Sequence, residues 1–449
     1  MVLKTRRRFL ADTGRAAAAV AAFGRAPAVF GSAQNSPSAT LRLAVIGFGV
    51  QGLNDANAAN RLDDVQVVAA ASCYDGHLER ARELLGDGAL LTKDYRRILD
   101  RKDVDAVIVW TPDHWHAAVC TDALAASKHV YCEKPMTHRL EEGEALIEAV
   151  RQSGHVFQVG SQHTSSPHVV EARQLIKDGA LGQITQVKAS WDENNEISAW
   201  VKPIPKDASE QTIDWPRFQG SAPKHAFDAR RVFRWRTYRD YAEGLAGDVL
   251  VHIITTLHFV LDLDTPTLAT AVGGRLLWKD DRDVYDTITG GLEYPEGIVM
   301  LLGAQQNNGF DGTQIRVMGS KATLVLSFSG YTLYEETGQP NWRYTTNVWP
   351  KALREEYWKE KGLPLEVDQA QGFRPQERFK ELRKYEPPQG PRRASHHMQH
   401  FVDCIRGGKR PVQDVVMGNN AATTAHMINM AHYEKKVVHF DRATRKVST

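Results

Sequence analysis

The sequence predicts an α/β fold: a doubly wound parallel sheet first, then an α+β domain with an open, mostly antiparallel sheet. Three observations carry this. From Leu41, short β-branched apolar runs alternate with longer stretches whose apolar positions recur every three or four residues, the pattern of strands and crossover helices in a parallel sheet. A glycine-rich turn, Gly47-Phe48-Gly49-Val50-Gln51-Gly52, follows the first run directly and opens the first helical stretch. Beyond about residue 160 the rhythm changes to longer β-rich runs separated by Gly and Asp turns, which suits an open sheet.

Taken in order, the strand-like runs of the first domain, residues 41–160, are 41–46, 65–73, a weak 90–92, 105–110, 129–132 and 156–160, with helices expected at 78–85, 117–126 and 140–150. The second domain, 161–449, begins with a helix at 168–177 and a strand at 184–191. A Pro-, Trp- and Arg-rich segment then runs to Tyr241. A helix follows over 248–261, then four β-rich runs at 268–277, 285–292, 298–304 and 313–318. Residues 328–394 are polar, aromatic and punctuated by proline with little periodicity, and are expected to run over the surface. Helices at 396–405 and 418–433 are expected to pack back onto the body.

Bulk properties narrow the function. In 449 residues, 42% of them hydrophobic, there is material for two or three cores. The 56 basic and 54 acidic side chains leave a net charge of +2 spread along the chain, which argues against a nucleic-acid partner. Cys73, Cys120, Cys132 and Cys404 show no metal-finger spacing and read as reduced core residues. No apolar run is long enough for a membrane span. Residues 1–33 read as an address: Thr5-Arg6-Arg7-Arg8-Phe9-Leu10 fills the twin-arginine export pattern, and an alanine-rich stretch and small-residue cleavage sites follow. The expected partner is the twin-arginine machinery, and the expected location periplasmic. That route carries proteins already folded, often around a cofactor.

Glycine at positions 47, 49 and 52 lets the chain turn sharply after a strand and lets a pyrophosphate approach the N–H groups of a helix N-terminus. This is the Rossmann dinucleotide fingerprint. Asp75, placed at the end of the second strand, can accept hydrogen bonds from the adenosine ribose and repel a 2′-phosphate, which favours NAD over NADP.

Three further motifs make the sequence recognisable: Thr111-Pro112-Asp113-His114-Trp115-His116 after the fourth run, Glu133-Lys134-Pro135 after the fifth, and Gly244-Leu245-Ala246-Gly247-Asp248 with His252 four residues on. With the glycine turn, they resemble the glucose-fructose oxidoreductase and inositol dehydrogenase family, Gfo/Idh/MocA, over almost the whole chain after the export signal. The resemblance implies a site between the domains, oligomers formed through the second sheet, and a sugar or cyclitol substrate whose secondary hydroxyl exchanges a hydride with NAD. It implies that Lys134 contacts the reacting oxygen, that His252 is the acid/base, and that Asp248, on the same helical face four residues earlier, orients the imidazole or binds substrate. Gly47, Phe48, Gly49, Val50, Gln51, Gly52, Asp75, Thr111, Pro112, His116, Glu133 and Lys134 are the expected cofactor contacts. His114 is expected on the nicotinamide side as well. Arg234, Trp235, Arg236 and the tyrosines 238 and 241 are open to either sugar contact or surface packing. His396, His397 and His400 read as a helix start, with no metal expected. One departure stands out: Thr255 occupies a position where the family often has an acid. Because free NAD is not expected outside the cytoplasm, the cofactor is expected to be retained. The alternatives are a redox-neutral glycosidase on the same fold, for which the expected His-Gly-Leu-Gly-Pro type of segment is missing, and a binding protein without turnover.

Overall fold

In the computed structural model, the described residues are 40–194, 200–336, 345–362, 379–385 and 393–449. The export signal expected over Thr5 to Leu10 lies outside them. The first sheet contains β1 (Leu41–Ile46), β2 (Val65–Ala71), β3 (Leu90–Thr92), β4 (Ala106–Val109), β5 (His129–Cys132) and β6 (Phe157–Val159), all parallel, in the order β3-β2-β1-β4-β5-β6. Connections run outward in both directions from β1 and β4, so the switch point, where open α/β sheets bind ligands, lies at the carboxyl ends of that pair. Strands β1 and β4 are nearly continuous Val, Ile, Leu and Ala because both faces are covered.

One face carries α1 (Val50–Ala59) and α2 (Asp75–Leu85), and the other α4 (Asp113–Ala125) and α5 (Glu142–Ser153), with the short α3 (Arg96–Leu99) beside β3. Much later in the chain, α11 (Arg393–Gly407) sets Met398, Phe401 and Val402 into the core beneath Phe48 and Tyr131. Val415, at the start of α12 (Val415–Glu434), joins the opposite core.

The second sheet is larger than the sequence indicates. Behind α6 (Pro167–Lys177) come β7 (Ile184–Asp192), β8 (Leu268–Gly274), β9 (Thr287–Tyr294), β10 (Ile298–Gln305), β11 (Thr313–Gly319), β12 (Ala322–Leu326), β13 (Tyr331–Glu335), β14 (Glu381–Lys384), β15 (Val438–Asp441) and β16 (Lys446–Ser448). They are ordered β14-β13-β12-β11-β7-β10-β9-β8-β15-β16, with only the β7–β10 pair parallel. Strand β10 shows the logic: Ile298, Met300, Leu302 and Ala304 face inward while Val299 and Leu301 face out. The inward face is covered by α9 (Val251–Leu261) and α12. Helix α9 is mostly apolar because nearly all of it is buried.

Two expectations need correction. The segment 328–394 is not simply a surface excursion: Tyr331 and Leu333 are buried, and β13 and β14 extend the sheet edge beyond β12. These strands are only five and four residues long, too short to establish an alternation against their aromatic and charged neighbours. Parts of that segment lie outside the described residues. The helix expected over 248–261 begins instead as a π turn, Ala246–Leu250, that runs into α9.

Candidate active site

Two adjoining cavities open at the switch point, of about 130 Å³ and 410 Å³, and both are lined by Gly49, Tyr74, Trp110 and Thr111. The glycines of the turn differ in what they make room for. Gly47 has φ +97°, and a Cβ there would lie 2.3 Å from the Trp110 carbonyl oxygen. At Gly52 a Cβ would meet the Gly47 carbonyl oxygen at 2.2 Å, so this glycine lets α1 close on β1. At Gly49 a Cβ would meet nothing within 4 Å; the space belongs to the crevice. Gly49 is also the N-cap of α1, which has no side-chain cap and no acid in its first turn, so the helix end is left to an anion. Thr111 adds a buried Oγ1 with no hydrogen-bond partner. A dinucleotide fits this donor set. Phe48 lines the smaller cavity and belongs to the core below it, whereas Val50, Gln51 and Gly52 line the larger one.

Asp75 does not end β2. The strand stops at Ala71, and Asp75 starts α2 with its carboxylate 2.8 Å from Lys93 Nζ. The reason lies in the Pro- and Trp-rich segment before Tyr241, which folds back across the crevice as a strap. The chain at 73–75 pairs with it: Tyr74 bridges Ile213, the Asp214 N–H donates to the Cys73 carbonyl at 2.8 Å, and the Asp75 N–H donates to the Thr212 carbonyl at 3.0 Å. Tyr74 also donates its hydroxyl to Asp207 at 2.6 Å. Ser72, Cys73, Tyr74 and His77 line the smaller cavity, and Asp75 reaches it only through Lys93.

The strap corrects His114 as well. Its Nε2 and the Trp115 Nε1–H both meet the Phe218 carbonyl oxygen, at 2.9 and 3.0 Å, and burial pushes the imidazole pKa down to about 3. His114 ties the strap to α4 and lines neither cavity. His116 does line the larger one, its two nitrogens 2.9 Å from the Thr111 carbonyl and 2.7 Å from that of Pro135. It thereby links the loops after β4 and β5.

After β5, Glu133 and Lys134 turn into the larger cavity. Glu133 accepts from the Lys134 N–H and from Gln162, and burial raises its pKa well above the usual carboxylate range. Gly160 makes room for it, since a Cβ there would come within 2.1 Å of Glu133 Oε1. The Lys134 ammonium donates to Asp248 Oδ1 at 2.8 Å and to the Asp248 carbonyl at 2.6 Å. Arg236 donates to the same Oδ1 at 3.2 Å. Burial alone would raise the Asp248 pKa, but the two cations hold it well below the ordinary value.

His252 is therefore not oriented by Asp248 as expected: the two cations occupy that carboxylate. The imidazole instead stacks on Trp191, 5.5 Å between centroids at 27°, with the His163 ring edge-on at 5.5 Å. Its Nδ1 is buried without a hydrogen-bond partner, and burial, Lys134 and His163 hold its pKa well below the ordinary histidine value. Phe328 stacks on His163 at 3.6 Å. Thr255, where the family often has an acid, is buried at 1% exposure, 3.5 Å from the Ser161 hydroxyl.

Residue by residue, the remaining candidates separate. Arg236 lines the cavity and stacks over Trp235 at 4.1 Å, while Arg234 binds the Lys202 carbonyl and Tyr238 binds Asp281. His397 is buried between Ser165 and the Val159 carbonyl. The sequence reading missed Asp113, a buried acid in the cavity wall whose pKa is raised by burial and by Asp248. It also missed Trp191 and His163. Asp113 stood inside a motif already quoted, but the aromatic rings come together only through folding.

Comparison with known proteins agrees with this layout. Residues 41–161 match the oxidoreductase family with an NAD-binding Rossmann fold, and residues 217–325 match the GFO/IDH/MocA C-terminal domain. The levoglucosan dehydrogenase of Pseudarthrobacter phenanthrenivorans is 27% identical over 212 residues, 46% of this chain and 46% of that protein. The inositol 2-dehydrogenase of Rhizobium meliloti is 24% identical over 290 residues, 64% of this chain and 75% of that protein. The chain thus spans about half the length of the first of these relatives. In three dimensions it resembles a levoglucosan dehydrogenase solved with NADH and L-sorbose (TM-score 0.66, 18% identity, 89% of this chain and 99% of that one). It also resembles the aldose-aldose oxidoreductase of Caulobacter crescentus solved with glycerol (TM-score 0.63, 21% identity, 89% and 100%).

Two outcomes follow from the geometry. Gly49→Ala should keep the melting temperature of the parent and weaken dinucleotide binding at least tenfold by titration calorimetry, because its Cβ enters only the crevice. Gly52→Ala should instead lower the melting temperature, because its Cβ strikes backbone; equal behaviour of the two variants would refute the assignment. The second concerns pH. Burial depresses His77, His116, His129, His258 and His397 to about 4 and His114 to about 3. Between the ordinary 6.5 and about 4 the unfolded chain therefore binds more protons at these sites than the folded one, and stability falls as pH falls. Asp55, raised by burial to about 7, and the raised Asp113 and Glu133 act in the opposite sense, but the histidines outnumber them. The urea midpoint should be lower at pH 5 than at pH 7, and an unchanged or rising midpoint would contradict this.

Proposed function

The chain belongs to the Gfo/Idh/MocA oxidoreductase family, and from that premise we propose that it is an NAD-dependent dehydrogenase acting on a secondary hydroxyl of a sugar or cyclitol. The observation that carries this reading is the Lys134 ammonium, fixed on Asp248 in the wall of a cavity that adjoins the dinucleotide turn. Bound NAD supplies the hydride acceptor. The chain's own residues then handle the hydroxyl. Lys134 donates to the reacting oxygen and stabilises charge that develops there. Asp248 and Arg236 keep that ammonium in one place. His252, neutral because burial and Lys134 disfavour its cation, offers an unoccupied Nδ1 as proton acceptor. Relatives named for levoglucosan and inositol support a cyclic polyhydroxylated substrate.

The cofactor is retained, on this reading, by the strap. Its bridge at Tyr74 and Ile213 and the Tyr74–Asp207 hydrogen bond hold it against Tyr74, a residue that lines both cavities. Retention also suits export through the twin-arginine route, which the motif at Thr5 to Leu10 supports.

Heating purified protein should release stoichiometric nicotinamide nucleotide, and sugar addition should reduce the bound form, seen as absorbance at the nicotinamide band. Lys134→Ala should lower turnover per bound nucleotide by about 10²–10⁴-fold; full turnover in that variant would sink the assignment. Asp207→Ala should speed nucleotide loss on gel filtration. For the address, replacing Arg6 and Arg7 by Lys should leave the protein in the cytoplasmic fraction of cells that otherwise export it, and unaltered export would remove that proposal.

A further inference from the structure

Behind the Lys134–Asp248 pair lies a separate cavity of about 290 Å³, lined by His138, Arg239, Glu243, His426 and Asn429 among others. Both elements that carry the pair end on it. The loop that begins at Lys134 continues to Thr137 and His138, and the π turn that holds Asp248 begins three residues after Glu243. Glu243 connects them. Its Oε2 accepts from His426 Nδ1 at 2.9 Å and from Asn429 at 2.7 Å, both on α12, and its Oε1 is 3.8 Å from His138 Nε2. Its backbone N–H donates to Asp113, the acid in the wall of the catalytic crevice, at 3.2 Å. His426 in turn sets its Nε2 3.1 Å from the Thr137 hydroxyl. There is little slack: a Cβ on Gly247 would come within 2.3 Å of the Glu243 side chain and 3.4 Å of Pro135.

We propose that Glu243, clamped by His426 and Asn429, is a positioning residue for catalysis: it fixes the loop of Lys134 against the turn of Asp248, and the His426 proton sets the pH range over which the clamp holds. The inference rests on the reading that Lys134 and Asp248 work on the substrate. The clamp has a physical price on both partners. Burial disfavours both charges, yet His426 is raised above its ordinary value by Glu243, and Glu243 is lowered by His426 and His138. The other groups facing the pair or lining its cavity are His138, Arg139, Glu141 and Glu142 beyond β5, Asp113 on α4, Arg239 on the strap, Tyr285 before β9, and Tyr433 and Glu434 on α12. A raised histidine contributes until pH climbs through its folded pKa, and a lowered carboxylate until pH drops through its own. The clamp therefore holds between those limits and is lost first on the alkaline side, above the ordinary histidine value.

The test uses the nucleotide-loaded protein, with Glu243→Gln and His426→Gln. Both variants should lower kcat by about tenfold to a hundredfold, with KM within about twofold and nucleotide content unchanged. His426→Gln should also remove the alkaline inflection of the kcat profile. A second readout needs no substrate: the rate at which acetic anhydride acetylates Lys134, followed by mass spectrometry across pH, should shift in both variants. Normal kcat and an unshifted Lys134 profile, with only a lower melting temperature, would overturn the proposal and leave the pair a structural ion pair. If the parent oxidises no sugar but the Lys134 profile still shifts, the positioning role stands and the functional reading fails. Should Glu243→Gln not fold, His426→Gln decides on both readouts.

Discussion

The ion pair between Lys134 and Asp248 is the contact on which the rest of the architecture depends. Lys134 stands at the carboxyl end of a strand in the first sheet, and Asp248 on the turn that feeds a helix under the second. Their side chains are only 10% and 14% exposed. Removing two charges from water is costly, and breaking such a pair by deleting one partner typically costs about 3–5 kcal/mol. The structure offsets that cost with further donors and acceptors around the same atoms: Arg236 on the carboxylate and the Asp248 carbonyl on the ammonium. Lys134, Arg236 and Asp248 come from three separate stretches of chain. The two domains are thus tied together beside the larger cavity.

The strap extends the same logic to the cofactor end. Tyr74 leaves β2 early to pair with Ile213, and Phe218 offers one carbonyl to both His114 and Trp115. A segment from the second domain therefore completes the wall of a crevice built by the first. This explains why the strap is rich in Trp, Pro and Arg without periodicity. It belongs to no sheet or long helix, and its side chains are chosen for the walls they form: Phe218 toward the smaller cavity, Pro203, Pro205 and Arg236 toward the larger, and Val232 and Trp235 toward both.

What was legible in the sequence follows the range of the interactions involved. Strands β1 and β4 and the glycine turn were readable because each is determined within a few residues, by β-branched runs and by backbone that tolerates no Cβ at Gly47 and Gly52. Glu133 and Lys134 were readable because they follow the carboxyl end of a parallel strand, β5, and stand in a recognisable motif with Pro135. Asp75 was misplaced because what ends β2 is a partner more than 130 residues away in sequence, Ile213. The strands β12 to β16 were missed for a related reason: segments of three to five residues become strands only when an edge is available to pair with. Glu243, flanked by Ala242 and Gly244, carries no local signal, since its partners His426 and Asn429 arrive from the other end of the chain.

The reassignment of Asp248 bears on how the site divides its chemistry. Four-residue spacing alone makes Asp248 and His252 a plausible carboxylate–imidazole couple, which would raise the imidazole pKa. In the structure the carboxylate is held by Lys134 and Arg236, and the imidazole stacks on Trp191 while burial, Lys134 and His163 disfavour its cation. Positive charge is thereby concentrated on the lysine, and the imidazole is left neutral. The π turn at Ala246–Leu250 lies between the two functions, as such turns often do at working sites. Separation of a fixed cation from a neutral base follows from which carboxylate partner the fold supplies, and spacing along one helix does not reveal it.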